Sequence, residues 1–145
     1  MRSDSPNLFC LKKFYRTAII YIITRDELVR LDCSKVVYMV GDGNYTDIVL
    51  VNKQKHSICM NLSRMQQLVS ESLREQASFF VRIGKRFIVN LSFVYKVQPL
   101  QKSLVLTDGV NFAFKLGISK EALKQLKALL LMRVTNSTAK KEPVK

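Results

Sequence analysis

Phe79-Phe80-Val81-Arg82-Ile83-Gly84-Lys85-Arg86-Phe87-Ile88-Val89-Asn90 holds two short apolar runs around a charged break. Phe79 to Ile83 and Phe87 to Val89 are rich in β-branched and aromatic residues, the composition of strands. Gly84 permits a tight turn between them. Lys85 and Arg86 then sit side by side at its tip. Burying two like charges together is very unfavourable, so the tip faces solvent or an anion. Asn90 closes the second run. At a strand end its side chain is read as tying down nearby backbone rather than contacting a ligand.

Outward from this hairpin, the preceding chain reads as further short strands. Ala18–Ile23, Glu27–Asp32, Val36–Val40, Tyr45–Asn52 and Ser57–Met60 are strand-sized and apolar or alternating. Val36–Val40 is almost continuously apolar, which places it centrally in a sheet. Gly41-Asp42-Gly43-Asn44 is the sharpest turn, and Asn52–His56 reads as a polar hairpin loop. Asn61 is a helix N-cap, followed by Leu62, Met65, Leu68, Val69 and Leu73 at helical spacing. Beyond Asn90, Phe93–Gln98, Ser103–Thr107 and Asn111–Leu116 read as strands, with Asp108-Gly109 as a hairpin signal. Ser119 caps a last helix with an apolar stripe of Ala122, Leu123, Leu126, Leu129 and Leu130. Lys120, Lys124 and Lys127 share its outer face. The expected organisation is a basic lead-in over residues 1–17, one domain over 18–132 and a basic, disordered tail over 133–145.

The chain has 145 residues with 24 Lys and Arg against 11 Asp and Glu, a net charge of +13. Residues 17–132 hold 16 of the cations and 9 of the anions, so the folded part is itself basic. A basic domain implies a polyanionic partner, most often nucleic acid. No apolar run approaches the length of a spanning helix, and no leader cleavage site follows Ala18–Ile23, so a cytoplasmic location is expected. The cysteines Cys10, Cys33 and Cys59 match no metal spacing and read as reduced thiols. His56 is the one histidine and has no carboxylate beside it. Neither a paired-carboxylate motif nor a nucleophile elbow is present. No catalytic residue, metal site or cofactor is expected, and the chain does not read as an enzyme.

The order of signals resembles the LytTR family of bacterial DNA-binding domains. The resemblance is carried by Lys35-Val36-Val37-Tyr38-Met39-Val40-Gly41-Asp42-Gly43-Asn44-Tyr45, by the amphipathic helix opening at Leu62, and by Phe80–Ile83 with Phe87-Ile88-Val89-Asn90. It runs from about Ile19 to Leu131. It implies a mostly β fold with short helices: an elongated arrangement of small antiparallel sheets with one internal and one C-terminal helix. It also implies DNA reading by loops, with base-contacting positions at or near Tyr45, at Lys85 and near Lys120. The family usually has His-Arg-Ser where this chain has Gly84-Lys85-Arg86, so the central cation is kept and its neighbours differ. Many family members carry a receiver domain, and the lead-in before Ala18 is too short for one.

The reading is therefore a sequence-specific double-stranded-DNA-binding transcriptional regulator. The candidate DNA-binding residues are Asn44, Tyr45, Lys53, Lys55, Arg82, Lys85, Arg86, Lys120, Lys124 and Lys127. Arg82, Arg86, Lys53, Lys55 and the lysine face of the last helix would grip phosphate, while loop side chains read base edges. Duplex DNA is the expected partner, with a second copy on repeated half-sites and an upstream signalling partner as further candidates. Two rival readings are a protein-interaction module linked to a membrane or signalling partner, and an RNA-binding domain. An RNA reader exposes aromatics for stacking. Here Phe80, Phe87, Phe93, Phe112 and Phe114 lie in apolar or alternating runs that point to burial.

Overall fold

The computed structural model describes residues 18–138. Residues 1–17 and 139–145 lie outside the described residues, as do the readings made of them. Among the described residues, ten strands form three antiparallel sheets. Strands β1 (Ile19–Ile23) and β2 (Leu28–Asp32) pair as a two-stranded hairpin. Strands β3 (Val36–Asp42), β4 (Tyr45–Leu50), β5 (Lys55–Ile58), β6 (Phe80–Ile83) and β7 (Phe87–Asn90) form a five-stranded sheet in the order β5-β4-β3-β7-β6. Strands β8 (Val94–Gln98), β9 (Ser103–Thr107) and β10 (Ala113–Gly117) form the third sheet, with β9 in the middle. Helix α1 spans Leu62–Leu73 and helix α2 spans Lys120–Thr138.

β3 is the centre of the five-stranded sheet, and both of its faces are covered. That is why its sequence is apolar without alternation. Met39 and Ile88 join one core with Ile20, Ile22 and Leu31 of the hairpin and with Leu62, Met65 and Val69 of α1. Val37 and Val89 join a second core with Leu104 and Leu106 of β9, Phe112, Leu116, and Leu123 and Leu126 of α2. The single sheet is thus the shared wall of two hydrophobic layers. Asn90 is fully buried at the end of β7: its Nδ2 donates to Val36 O at 2.8 Å and its Oδ1 accepts from Ser92 N at 2.9 Å. Asn61 caps α1, its Oδ1 accepting from Arg64 N at 2.8 Å. Ser119 caps α2, its Oγ accepting from Ala122 N at 3.3 Å.

Three local expectations change. β5 begins two residues early, at Lys55 rather than Ser57. Lys53 takes a left-handed φ of 74°, and Asn52 Oδ1 accepts from Gln54 N at 2.9 Å. The reversal is complete by Gln54, which frees polar Lys55 and His56 to pair as an edge strand. The loop at Asp108-Gly109 is longer than the three residues expected between Thr107 and Asn111, because Thr107 pairs with Ala113 and five residues lie between. The Asp108 carboxylate instead accepts from the backbone N–H groups of Val110, Asn111 and Phe112 and holds a wider loop. The last helix does not stop at Met132 but continues to Thr138, so the first part of the expected tail is helical. Once a helix is nucleated, each added residue gains a backbone bond. Arg133 also anchors the extension, donating to Ser78 O at 3.0 Å.

Candidate nucleic-acid interface

β3 and β7 are antiparallel neighbours, with Val40 opposite Phe87. The turn leaving β3 and the turn entering β7 therefore emerge at the same end of the sheet. The first is a two-residue turn, Gly43-Asn44, between paired Asp42 and Tyr45. Gly43 has φ 63°, in the region that favours glycine. The second is the three-residue turn Gly84-Lys85-Arg86, between paired Ile83 and Phe87. Gly84 has φ 63° as well. The second turn is tied to the end of β3, two residues before the first: Gly41 N donates to Arg86 O at 2.8 Å, and Arg86 Nε reaches Gly41 O at 3.5 Å.

Gly41 has a different reason from Gly43. A Cβ at this position would come within 2.8 Å of the Leu62 Cβ. The missing side chain is what lets the first turn of α1 press against the end of β3. Gly84 in turn faces the start of α2, where an added Cβ would meet Ala122 Cβ at 3.8 Å, an ordinary contact. The sheet end thus gathers both turns, the N-terminus of α1 and the beginning of α2. A cleft of about 250 Å³ opens there, lined by Gly41, Gly43, Asn61, Leu62, Ser63, Arg82, Lys85 and Arg86.

The candidate residues divide by position. Asn44, Tyr45, Lys85 and Arg86 are exposed on or beside the two neighbouring turns, and Tyr45 shows half its surface. Lys85 has neither an ion pair nor a side-chain hydrogen bond among the described residues. Arg86 leans back, its guanidinium 5.9 Å from the centre of the half-buried Phe87 ring. Lys120 opens α2 two residues before Ala122, so it belongs to the same end. Arg82 is turned inward. Its Nη1 donates to Ser63 Oγ and to Gln66 Oε1, both at 3.1 Å, and its Nη2 donates to Lys85 O at 2.8 Å.

Lys53 and Lys55 are not part of this cluster. Lys53 sits in the turn beyond the far end of β4, roughly 17 Å or more from Tyr45 at the rise of an extended strand, and Lys55 lies on β5 opposite Val49, its Nζ 3.9 Å from Asp47 Oδ2. Lys124 and Lys127 run away along α2 and border a separate groove of about 480 Å³ with Pro99, Leu100 and Leu131. Ser63 and Gln66, which hold Arg82, were not legible as site residues. They are polar positions on the wet side of a helix, and nothing in their spacing names a partner on a strand some twenty residues later.

Among the described residues, no group of three or more His, Cys, Asp and Glu side chains is placed to hold a metal ion. No helix among them is long and apolar enough to cross a membrane. The Cys33 thiol is pushed up to about 12, first by burial and then by Asp32, so it stays protonated. Phe112 is buried, and Phe80, Phe87, Phe93 and Phe114 are half-buried, which leaves no aromatic platform on those residues.

Comparison with known proteins follows the same lines. The chain is 29% identical over 109 residues to the heme-containing CO-sensing transcriptional regulator RcoM 1 of Paraburkholderia xenovorans (strain LB400). It is 28% identical over the same length to RcoM 2 of that organism. Each match covers 75% of this chain and 38% of the relative, so the chain spans well under half the length of these regulators. A solved LytTr DNA-binding domain from Bacillus cereus superposes with a TM-score of 0.54 at 18% identity, covering 78% of this chain and 96% of that one. The fold is therefore that of a LytTr domain. Residues 26–131 match the LytTR family itself, described as the LytTr DNA-binding domain. The chain belongs to the LytTR family of DNA-binding domains.

Proposed function

We propose that this chain acts in the cytoplasm as a transcriptional regulator that binds double-stranded DNA sequence-specifically. The neighbouring turns at 43–45 and 84–86 and the start of α2 enter the major groove. Lys85 reads a base edge, Tyr45 and Asn44 flank it, and Arg86 and Lys120 add contacts to phosphate or guanine. The observation that carries this reading is the backbone bond from Gly41 N to Arg86 O, which ties the cation-bearing turn to the end of β3 beside the Asn44 turn. Arg82 is assigned to the protein's own framework, and Lys53 and Lys55 to the periphery. Recognition of repeated half-sites by two copies, and control by a signalling partner, belong to the same reading. The regulators it resembles are named for sensing as well as for transcription.

The test begins with selection of a preferred site from random duplexes on the purified protein. Lys85→Ala and Arg86→Ala are then titrated on that site and on a scrambled duplex at several salt concentrations. Lys85→Ala should weaken the preferred site by about 1–3 kcal/mol and flatten discrimination at one or two positions. Arg86→Ala, as a phosphate contact, should weaken both duplexes alike and lower the salt slope by about 0.9. Unchanged binding in both variants would remove the turn from the interface. Equal affinity for RNA of the same length would favour the RNA reading instead.

A further inference from the structure

The cationic side chain nearest the turn that the DNA reading does not use is Arg82. β6 and β7 pair with Arg82 opposite Ile88, so both point to the face that α1 covers. From there the guanidinium reaches two places at once. It donates to Ser63 Oγ and Gln66 Oε1 on the first turns of α1, and to the carbonyl of Lys85 at the turn tip. Its Nε is sealed from solvent without a partner among the described residues. A side chain held by three acceptors, with one nitrogen already out of water, is committed to the protein and is not extended toward a phosphate.

We infer that Arg82 is a positioning residue: it clamps the Gly84-Lys85-Arg86 turn to α1 and so fixes the direction in which Lys85 presents its ammonium. The inference rests on the reading of that turn as the base-contacting element. The geometry needs arginine in particular. Its planar fork addresses several acceptors in fixed directions, whereas a lysine ammonium supplies the same charge from a single point. Base discrimination requires the reading group to be held within about 0.5 Å of its productive place, which a three-residue turn with a glycine does not secure alone.

Three variants test this: Arg82→Gln, Arg82→Lys, and the double variant Ser63→Ala/Gln66→Ala, which keeps the arginine and removes its seat. Each is followed by backbone amide relaxation of residues 84–86 without DNA, by thermal unfolding, and by titration of the preferred and scrambled duplexes across salt. All three should loosen the turn amides. All three should also lower the ratio of preferred to scrambled affinity about tenfold, with the salt slope kept. Should Arg82→Gln fail to fold, the double variant carries the same comparison. A turn as ordered as in the wild type in these variants overturns the inference. So does a lower unfolding temperature with discrimination intact. A uniform loss in Arg82→Gln with a shallower salt slope, restored by Arg82→Lys and absent from the double variant, makes Arg82 a phosphate contact and overturns it as well. If Lys85→Ala and Arg86→Ala leave both duplexes unaffected, the DNA reading itself falls, a result separate from any of these.

Discussion

Asn90 shows how one side chain fixes a strand junction. It is fully buried, donates to Val36 across the sheet and accepts from Ser92 in the turn that follows. Asn90→Ala leaves a buried carbonyl and an amide without partners, which costs about 1–3 kcal/mol. Urea unfolding should show that loss while the preferred duplex is still discriminated in the folded protein. Full stability with binding abolished would make Asn90 a DNA contact. Asp108 is a second such residue, on the surface. Partial desolvation acts to raise its carboxyl, but the hydrogen bonds from Val110, Asn111 and Phe112 prevail and hold it at about 2, below its ordinary 3.8. A carboxyl lowered on folding stabilises the fold above its unfolded value and loses that contribution as pH falls through the folded one. The stability difference between the wild type and Asp108→Ala should therefore be constant from neutrality to about pH 5 and shrink between about pH 4 and pH 2. A difference that grows with acid would show that the loop is held otherwise.

The elements that matter most are β3 and α1, because their contact sets the shape of the candidate interface. Gly41 is the point where they meet. Gly41→Ala places a Cβ 2.8 Å from the Leu62 Cβ, inside a packed layer that includes Met65 and Met39. α1 must shift, and overpacking of this kind costs about 1–3 kcal/mol. The same shift carries Ser63 and Gln66 away from Arg82, so discrimination between duplexes should fall along with stability. Measuring both on one preparation checks the coupling. Loss of stability with discrimination unchanged would separate α1 from the reading surface. Gly43 lies two residues on and has open space around a Cβ, so its requirement is its positive φ and not packing.

At the scale of the molecule, one sheet separates two cores. Met39 is buried in the layer that holds the β1–β2 hairpin and α1, and Leu104 in the layer that holds β8–β10 and α2. Successive residues of β7, Ile88 and Val89, belong to one layer each. Neither layer keeps its wall if the other is lost, so the two should unfold together. Met39→Ala and Leu104→Ala should each lower stability by about 2–5 kcal/mol. Each should move the far-ultraviolet and tyrosine-fluorescence transitions by the same amount. Transitions that part company in either variant would mean two independently stable units.

The sequence by itself determined the strands, their order of apolar and polar faces, both helix N-caps and the position of the two turns of the candidate interface. Those features are local: period-two and period-3.6 patterns, glycines with positive φ, and an asparagine or serine ahead of an apolar stripe report their own conformation. It also placed β3 at the centre, because a strand covered on both faces needs no polar side. The reach of α2 past Met132 and the early start of β5 were not legible. The first depends on Arg133 finding Ser78 O, and the second on a reversal that closes within Gln54. The membership of the candidate site was decided by tertiary structure alone. Arg82 and Lys53 are both cations near turns, and composition treats them alike. Only strand pairing brings Gly41 to Arg86 and leaves Lys53 at the opposite end of β4, and only the packing of α1 on β6 turns Arg82 inward. Charge is read from a sequence residue by residue, but the direction in which a charge points is a property of its neighbours in space.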